Sequence, residues 1–319
     1  MDKVLVTGAY GFVGAAYCAQ LAEKGVPFIG AVRARSPGEK RPQIREVGDF
    51  VDADWAMILE KAGVNCVVHL AGRAHRVEGA AADARTVFRR ENVKVTDRLL
   101  AAARLARVRR FVFSSSVKVH GQSTPPGVIV RESDAPAPDG EYGHSKLLAE
   151  RRVVEFGHEL GMETVILRLP LVYGPGVKAN FAELVQAVRA RRVLPFGAAR
   201  NRRSLLGVSN LCSAIDAARL HSRAAGETFL VSDGKDVSTP ELIRAIAVAL
   251  RVLPRLWPFP PSLLLLAATL AGRRAAAERL LESFAIDSAR IRATLQWSPP
   301  LTLADELERL AGSLTDAPP

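Results

Sequence analysis

The stretch Thr7-Gly-Ala-Tyr-Gly-Phe-Val-Gly14 joins a short β-branched run, Val4-Leu-Val-Thr7, to a helical segment over residues 15–24. No other feature limits the fold as much. Gly8 and Gly11 let the backbone turn sharply and approach a pyrophosphate, and Gly14 lets a helix pack tightly on a strand. Tyr10, Phe12 and Val13 fill the turn, and the helix N-terminus offers unpaired N–H groups and a favourable dipole to an anion. Glycines also serve plain turns, but between a first strand and a first helix this trio predicts a dinucleotide-binding crossover.

The first half of the chain repeats that unit. Phe28-Ile-Gly-Ala-Val32, Cys66-Val-Val-His-Leu70, Phe111-Val-Phe-Ser114 and Glu163-Thr-Val-Ile-Leu-Arg168 are apolar runs ending in small or polar residues. Buried parallel strands read this way, and helical stretches over 96–106 and 144–159 separate them. The expected class is α/β: a doubly wound parallel Rossmann sheet with a smaller, mostly helical C-terminal substrate domain. Residues 1–170 are expected to form the dinucleotide-binding domain, with 205–233 returning to it. Residues 171–204 and 234–319, where prolines rise and helices dominate, are expected to form the substrate domain. A chain of 319 residues, 48% hydrophobic and 24% charged, can fill such cores and is neither disordered nor fibrous.

Several classes are excluded. Cys18, Cys66 and Cys212 are odd in number and lack a CxxC pair, which argues against a disulfide scaffold and for a reducing cytosol. His69, His75, His158 and His221 show no metal-ligand spacing, so no metal is expected. The strand-like run starting at Lys3 leaves no room for a signal peptide, and no apolar run reaches the roughly 20 residues of a membrane span. The expectation is a cytoplasmic protein with no stable membrane insertion. Segment 254–274 reads as a helix packed on the substrate-domain core. A peripheral membrane patch is its other reading, because Arg273 and Arg274 follow the leucines. Net charge is +11, and arginine supplies 35 of the 44 basic residues. The basic clusters lack the interleaved aromatics of single-strand binders, so no nucleic-acid partner is expected.

The end of the second strand reads the cofactor's ribose. An acidic residue there suits the NAD 2′-hydroxyl, and arginine suits the extra phosphate of NADP. This chain has Val32-Arg-Ala-Arg35 with no carboxylate in reach, so NADP(H) is preferred and NAD(H) allowed, with Arg33 the main phosphate contact and Arg35 the second. Asp49 is placed to accept from the adenine amino group, or simply closes a turn. Further on, Tyr142-Gly-His-Ser-Lys146 opens a helix and puts Tyr142 and Lys146 on one face. A lysine ammonium and a nicotinamide cation both favour a phenolate, which brings a tyrosine toward neutral working range. Ser114-Ser115-Ser116 ends a strand, where ligand-facing groups of such sheets collect.

Together these motifs resemble the extended short-chain dehydrogenase/reductases of the NAD-dependent epimerase/dehydratase family. The likeness continues through Arg168-Leu-Pro-Leu-Val-Tyr-Gly-Pro-Gly176, Asn201-Arg-Arg-Ser-Leu-Leu206 and Val231-Ser-Asp-Gly234. It implies catalysis by Ser116, Tyr142 and Lys146. It places Phe50, Leu70, Ala71, Gly72, Asn92, Ser114, Leu169 and Val172 beside the cofactor, with Tyr142 and Lys146. It places Arg73, Ser116, Lys118, His120, Asn180, Phe181, Pro195, Phe196 and Arg203 beside the substrate, Asn180 and Arg203 on a diphosphate and Phe196 against the base. Phe181 and Phe196 read equally as core aromatics. A homodimer through a helical bundle is common in the family.

Within the family, the sugar-nucleotide branch is the nearest likeness. Lys118-Val-His-Gly121 replaces the Tyr-Gly that 4-epimerases carry after the serines, and Leu171 stands where they have Asn. These departures, with Ser-Val-Lys-Val-His and Val-Lys-Ala-Asn-Phe, resemble bacterial UDP-4-ketosugar reductases that make UDP-N-acetyl-quinovosamine for lipopolysaccharide O-antigen. The implied reaction is NADPH-dependent reduction at carbon 4 of a UDP-linked 4-keto-6-deoxy-N-acetylhexosamine. The alternative is a UDP-hexose 4-epimerase holding NAD tightly. A non-catalytic dinucleotide sensor is a third reading, which the intact Ser116, Tyr142 and Lys146 oppose. Lys118 and His120 could meet the sugar's N-acetyl group or satisfy local backbone groups.

Overall fold

The computed structural model describes residues 3–74, 81–272 and 274–315; His75 and Arg273 lie outside the described residues. Eleven strands are present among them: β1 (Lys3–Thr7), β2 (Phe28–Val32), β3 (Ile44–Glu46), β4 (Val64–His69), β5 (Arg110–Ser116), β6 (Ile129–Val130), β7 (Glu163–Leu169), β8 (Leu171–Tyr173), β9 (Leu205–Gly207), β10 (Thr228–Leu230) and β11 (Ala285–Ile286). Seven of these form one parallel sheet in the order β10-β7-β5-β4-β1-β2-β3. The order reverses at β1, where a crevice opens at the strands' C-terminal ends. β8 pairs with β9, and β6 with β11.

The two-residue period of the strands sorts side chains onto opposite faces. Val4, Val6, Cys66, Val68 and Val112 face one layer, made by α1 (Phe12–Glu23) and α7 (Val208–Leu220). Leu5, Val67, Phe111 and Phe113 face the other, made by α2 (Trp55–Ala62), α4 (Val95–Leu105) and α5 (Glu141–Leu160). A third core joins α6 (Ala179–Arg189), α8 (Thr239–Ala249) and α12 (Leu303–Thr315) around Tyr173, Phe181, Leu205 and Val237. The helix α3 (Ala81–Phe88) leads into a π-helical turn, Arg89–Lys94, ahead of α4.

Two expectations need correcting. Residues 234–319 do not belong wholly with the substrate side. Ile291 and Leu295 of α11 (Ala289–Leu295), with Trp297, are buried in the α1/α7 layer. That layer extends over β10, and a helix with only two or three apolar residues per turn goes where an open apolar face remains. Segment 254–274 packs on the third core only through Leu256: α9 (Pro261–Leu270) has no buried residue and lies against α10 (Arg274–Leu281). Its apolar residues run all round the helix, so the sequence carried no period to distinguish an inner face from an outer one.

Candidate functional site

The glycine turn is a cradle by necessity. Gly8 has φ +73°, and a Cβ there would stand 3.0 Å from the Ala71 backbone. A Cβ on Gly14 would stand 2.1 Å from the Gly8 carbonyl oxygen. Only bare backbone fits, and the α1 N-terminus, capped by Gly11 without a side-chain bond, keeps its N–H groups for an anion. Beside it Thr7 Oγ1 lies 2.7 Å from His69 Nδ1 and accepts from the Ala71 N–H at 3.1 Å. His69 Nε2 meets Thr96 Oγ1 at 3.1 Å. Burial, with the nearby Lys146 charge, pushes His69 down to about 3, so this imidazole is a neutral tie between β1, β4 and α4. Asn92, buried on the π turn, holds the Arg73 N–H at 2.7 Å, the Arg73 carbonyl at 3.1 Å and Ser145 at 2.9 Å. Single π turns of this kind often aim a side chain at a site. Leu169 is buried at the end of β7, while Leu70, Ala71, Ser114 and Val172 are half-buried and Gly72 is exposed. These residues fit a dinucleotide.

At the ribose end the structure differs from expectation. Arg33 is ion-paired with Glu91 and lies 5.7 Å over the Phe50 ring. Arg35 donates to the Glu39 carbonyl at 2.9 Å, and its N–H to the Glu46 carboxylate at 3.0 Å. The Tyr10 hydroxyl donates to Glu39 at 3.0 Å. Carboxylates are therefore in reach after all. They come from β3, its preceding loop and the π turn, which no local reading of residues 32–35 could include. Asp49 accepts the Val51 N–H at 2.9 Å and pairs with Arg90 at 3.1 Å, which together hold it below the usual carboxylate range.

Ser116 ends β5, Tyr142 stands in the first turn of α5, and Lys146 follows one turn later. The helix can approach because residue 143 is glycine: a Cβ there would stand 2.5 Å from the Lys118 carbonyl oxygen. Ser116 hydrogen-bonds the Tyr142 hydroxyl, and its Oγ accepts the Lys118 N–H at 3.2 Å. Burial raises the Tyr142 phenol, with the Ser116 bond opposing. Lys146 is buried with Nζ 4.2 Å from the Phe113 ring centroid, and burial pushes it down to about 8 against the pull of Glu150. Beneath, the Glu150 carboxylate accepts from Ser115 and lies 2.7 Å from Arg168, whose Nη1 is 2.9 Å from His120 Nε2. Burial and then Arg168 lower His120, so it meets that guanidinium as a neutral ring. This network ties β5, β7 and α5 together under the serine. Its members lie far apart in sequence, and the reading of residues passed over Glu150.

The facing wall is cationic. Lys118 Nζ donates to Gln122 at 2.7 Å and is lowered by burial and then by Arg279 and Arg203. Arg203 pairs its backbone with Val237 and donates from its side chain to the Arg279 carbonyl; burial lowers it, opposed by Glu282. The sequence reading missed Arg279, which carries no local signal among the 35 arginines of the chain. Asn180 is exposed at the start of α6. Of the two readings of Phe181, substrate contact and core aromatic, the structure shows the second: it is buried and stacked on Tyr173 at 5.5 Å. It lies one position past Asn180, on the inner side of α6. Pro195 and Phe196 are half-buried in a loop whose Gly197 N–H bonds the Trp257 carbonyl at 2.9 Å. Among the described residues no His/Cys/Asp/Glu group could hold a metal.

The arrangement offers a dinucleotide cradle, a proton-carrying phenol with a hydroxyl beside it, and a cationic wall. Residues 4–232 match the model of the NAD dependent epimerase/dehydratase family. The chain belongs to that family. Like other members it is an enzyme of the short-chain dehydrogenase/reductase type. A UDP-glucose 4-epimerase from Vibrio cholerae is 36% identical over 317 residues, spanning 99% of this chain and 96% of that protein. UDP-glucuronic acid 4-epimerase from Bacillus cereus, solved with NAD, superposes with TM-score 0.78 at 21% identity, covering 98% of each chain. A dehydrogenase/reductase superfamily protein from Agrobacterium tumefaciens, solved with bound NAD, gives TM-score 0.77 at 25% identity over 98% of this chain and 97% of that one.

Proposed function

We propose that this epimerase/dehydratase family member is a UDP-sugar 4-epimerase working with bound NAD. The observation that carries the reading is the end-to-end likeness, 36% over 99% of the chain, to the Vibrio cholerae UDP-glucose 4-epimerase. Lys118, Arg203 and Arg279, grouped on one wall, suit a diphosphate. We assign residues 1–170 with 205–233 to the cofactor side, and 171–204 with most of 234–319 to the substrate side. Arg33 leans on Glu91, which takes up charge that an NADP 2′-phosphate would need.

Bound NAD supplies the acceptor, and then the donor, of the hydride at carbon 4 of the sugar. Ser116 holds the sugar oxygen, and Tyr142 removes and later returns its proton. In the enclosed site the neutral phenol is favoured, so added positive charge is what readies it as a base. Lys146, cationic below about pH 8, is the protein's own contribution to that charge.

A second reading is NADPH-dependent reduction of a UDP-4-keto-6-deoxy-N-acetylhexosamine in O-antigen synthesis. Arg33 and Arg35, both exposed at the ribose end, and Lys118 beside Ser116 favour it. One experiment separates the two. The purified protein is denatured to release its nucleotide, and a native sample is given UDP-glucose or UDP-N-acetylglucosamine with no added cofactor. Released NAD and interconversion of the 4-epimers are expected. A cofactor-free protein that leaves these sugars untouched but oxidises added NADPH with the 4-keto sugar would establish the reductase instead.

A further inference from the structure

We propose that α9 and the loops beside it form a docking surface for an anionic phospholipid bilayer. α9 carries Leu263, Leu266 and Leu270 at i, i+3 and i+7, one face of a helix, and they are 50%, 58% and 84% exposed. A helix this apolar all round is normally enclosed by the protein, yet α9 has no buried residue and lies against α10. The apolar surface continues through Trp257 and Leu253, 60% and 73% exposed, to Val193 on a second loop. That loop is tied in place: the Leu194 N–H bonds the Arg255 carbonyl at 2.8 Å, and the Trp257 N–H bonds the Leu194 carbonyl at 2.9 Å.

Charge selects the occupant. Residues 184–215 and 242–277 contain no Asp or Glu, although the chain as a whole has 33. Arg189, Arg191, Arg192, Arg251 and Arg255, all exposed, stand in or beside these loops and helices. A second copy docking on the same face would bring arginines against arginines, whereas an anionic headgroup layer neutralises them and receives the leucines and the tryptophan below it. At ten residues α9 is too short to cross, so the contact is in the plane of the interface. Each basic residue near such a surface contributes on the order of 1 kcal/mol, about fivefold in partitioning.

The test is co-sedimentation of the full chain with vesicles of phosphatidylcholine alone and of phosphatidylcholine mixed with phosphatidylglycerol. Binding to the mixed vesicles only, weakened by salt, is expected. Leu266→Glu with Leu270→Glu should reduce it by about tenfold or more, and Arg251→Gln with Arg255→Gln by a similar factor, with catalytic turnover in solution unchanged. Failure to bind either vesicle, equal binding to both, or full binding by both double variants would overturn the proposal. So would analytical sedimentation showing a dimer that Leu266→Glu with Leu270→Glu dissolves in the absence of lipid binding. That result would make the face a protein–protein interface.

Discussion

On the sheet side of the site the ionisable groups are enclosed and paired, whereas the facing wall gathers cations with few acids among them. His69 is a neutral link between two hydroxyls, Glu150 is shared by Ser115 and Arg168, and Lys146 sits under an aromatic ring. Across from them burial and the nearby Arg279 and Arg203 lower the affinity of Lys118 for its proton, and in the proposed reading this wall receives an anion from the substrate. The sheet side is tied together by its own internal bonds, while the wall, in the proposed reading, is completed by the substrate. Changes on the first side should therefore destroy chemistry or stability, and changes on the second should mainly weaken substrate binding.

The largest expected effect is that of Tyr142→Phe, a loss of about 10²–10⁴ in turnover with nucleotide content and melting temperature unaltered. Near-normal turnover would remove Tyr142 from the proton path. Next, Glu150→Ala strands the Arg168 guanidinium in the interior and should cost about 3–5 kcal/mol in chemical denaturation. A cost below about 1 kcal/mol would show that the network is wetter than its burial implies. On the wall, Arg203→Ala or Arg279→Ala should raise the UDP-sugar KM by about tenfold to a hundredfold with little change in kcat. A fall in kcat with unchanged KM would erase the contrast between the two sides.

The smallest effect is in pH. Lys146 has a pKa of about 8, below the 10.5 of a free lysine, so charging it is penalised in the folded state. That penalty is absent above about 10.5 and full below about 8. The Lys146 ammonium is correspondingly lost as pH rises through about 8. Dinucleotide affinity, followed by fluorescence titration, should decline several-fold across that point. A flat profile well beyond it would mean that Lys146 holds its proton in the complex.

Those contrasts also divide what the sequence disclosed. The glycine turn, the strand ends and the Tyr142/Lys146 spacing are local patterns, each readable within a few residues, and the structure brings them to one end of the sheet. The partners of Arg33 and Arg168, and the approach of Arg279 to Arg203, depend on residues tens of positions apart. One arginine among 35 carries no mark of where it will point. Phe181 fell to the core because a one-residue step on a helix turns a side chain by about 100°, and the likeness that suggested it had no such resolution. α9 escaped for the opposite reason: its composition is so evenly apolar that burial was the natural guess.

The position of β10 has a consequence for how the chain is made. β7 is flanked by β5 on one side and needs β10 on the other, yet β10 comes from residues 228–230. A nascent chain that has emerged through β7 carries an uncovered strand edge until residues 170–227 have followed it, several seconds at elongation rates of roughly 5–20 residues per second. During that interval the growing protein presents a template on which another strand can pair. Slowing or halting translation in this stretch should therefore favour aggregation more than a pause of equal length after residue 230.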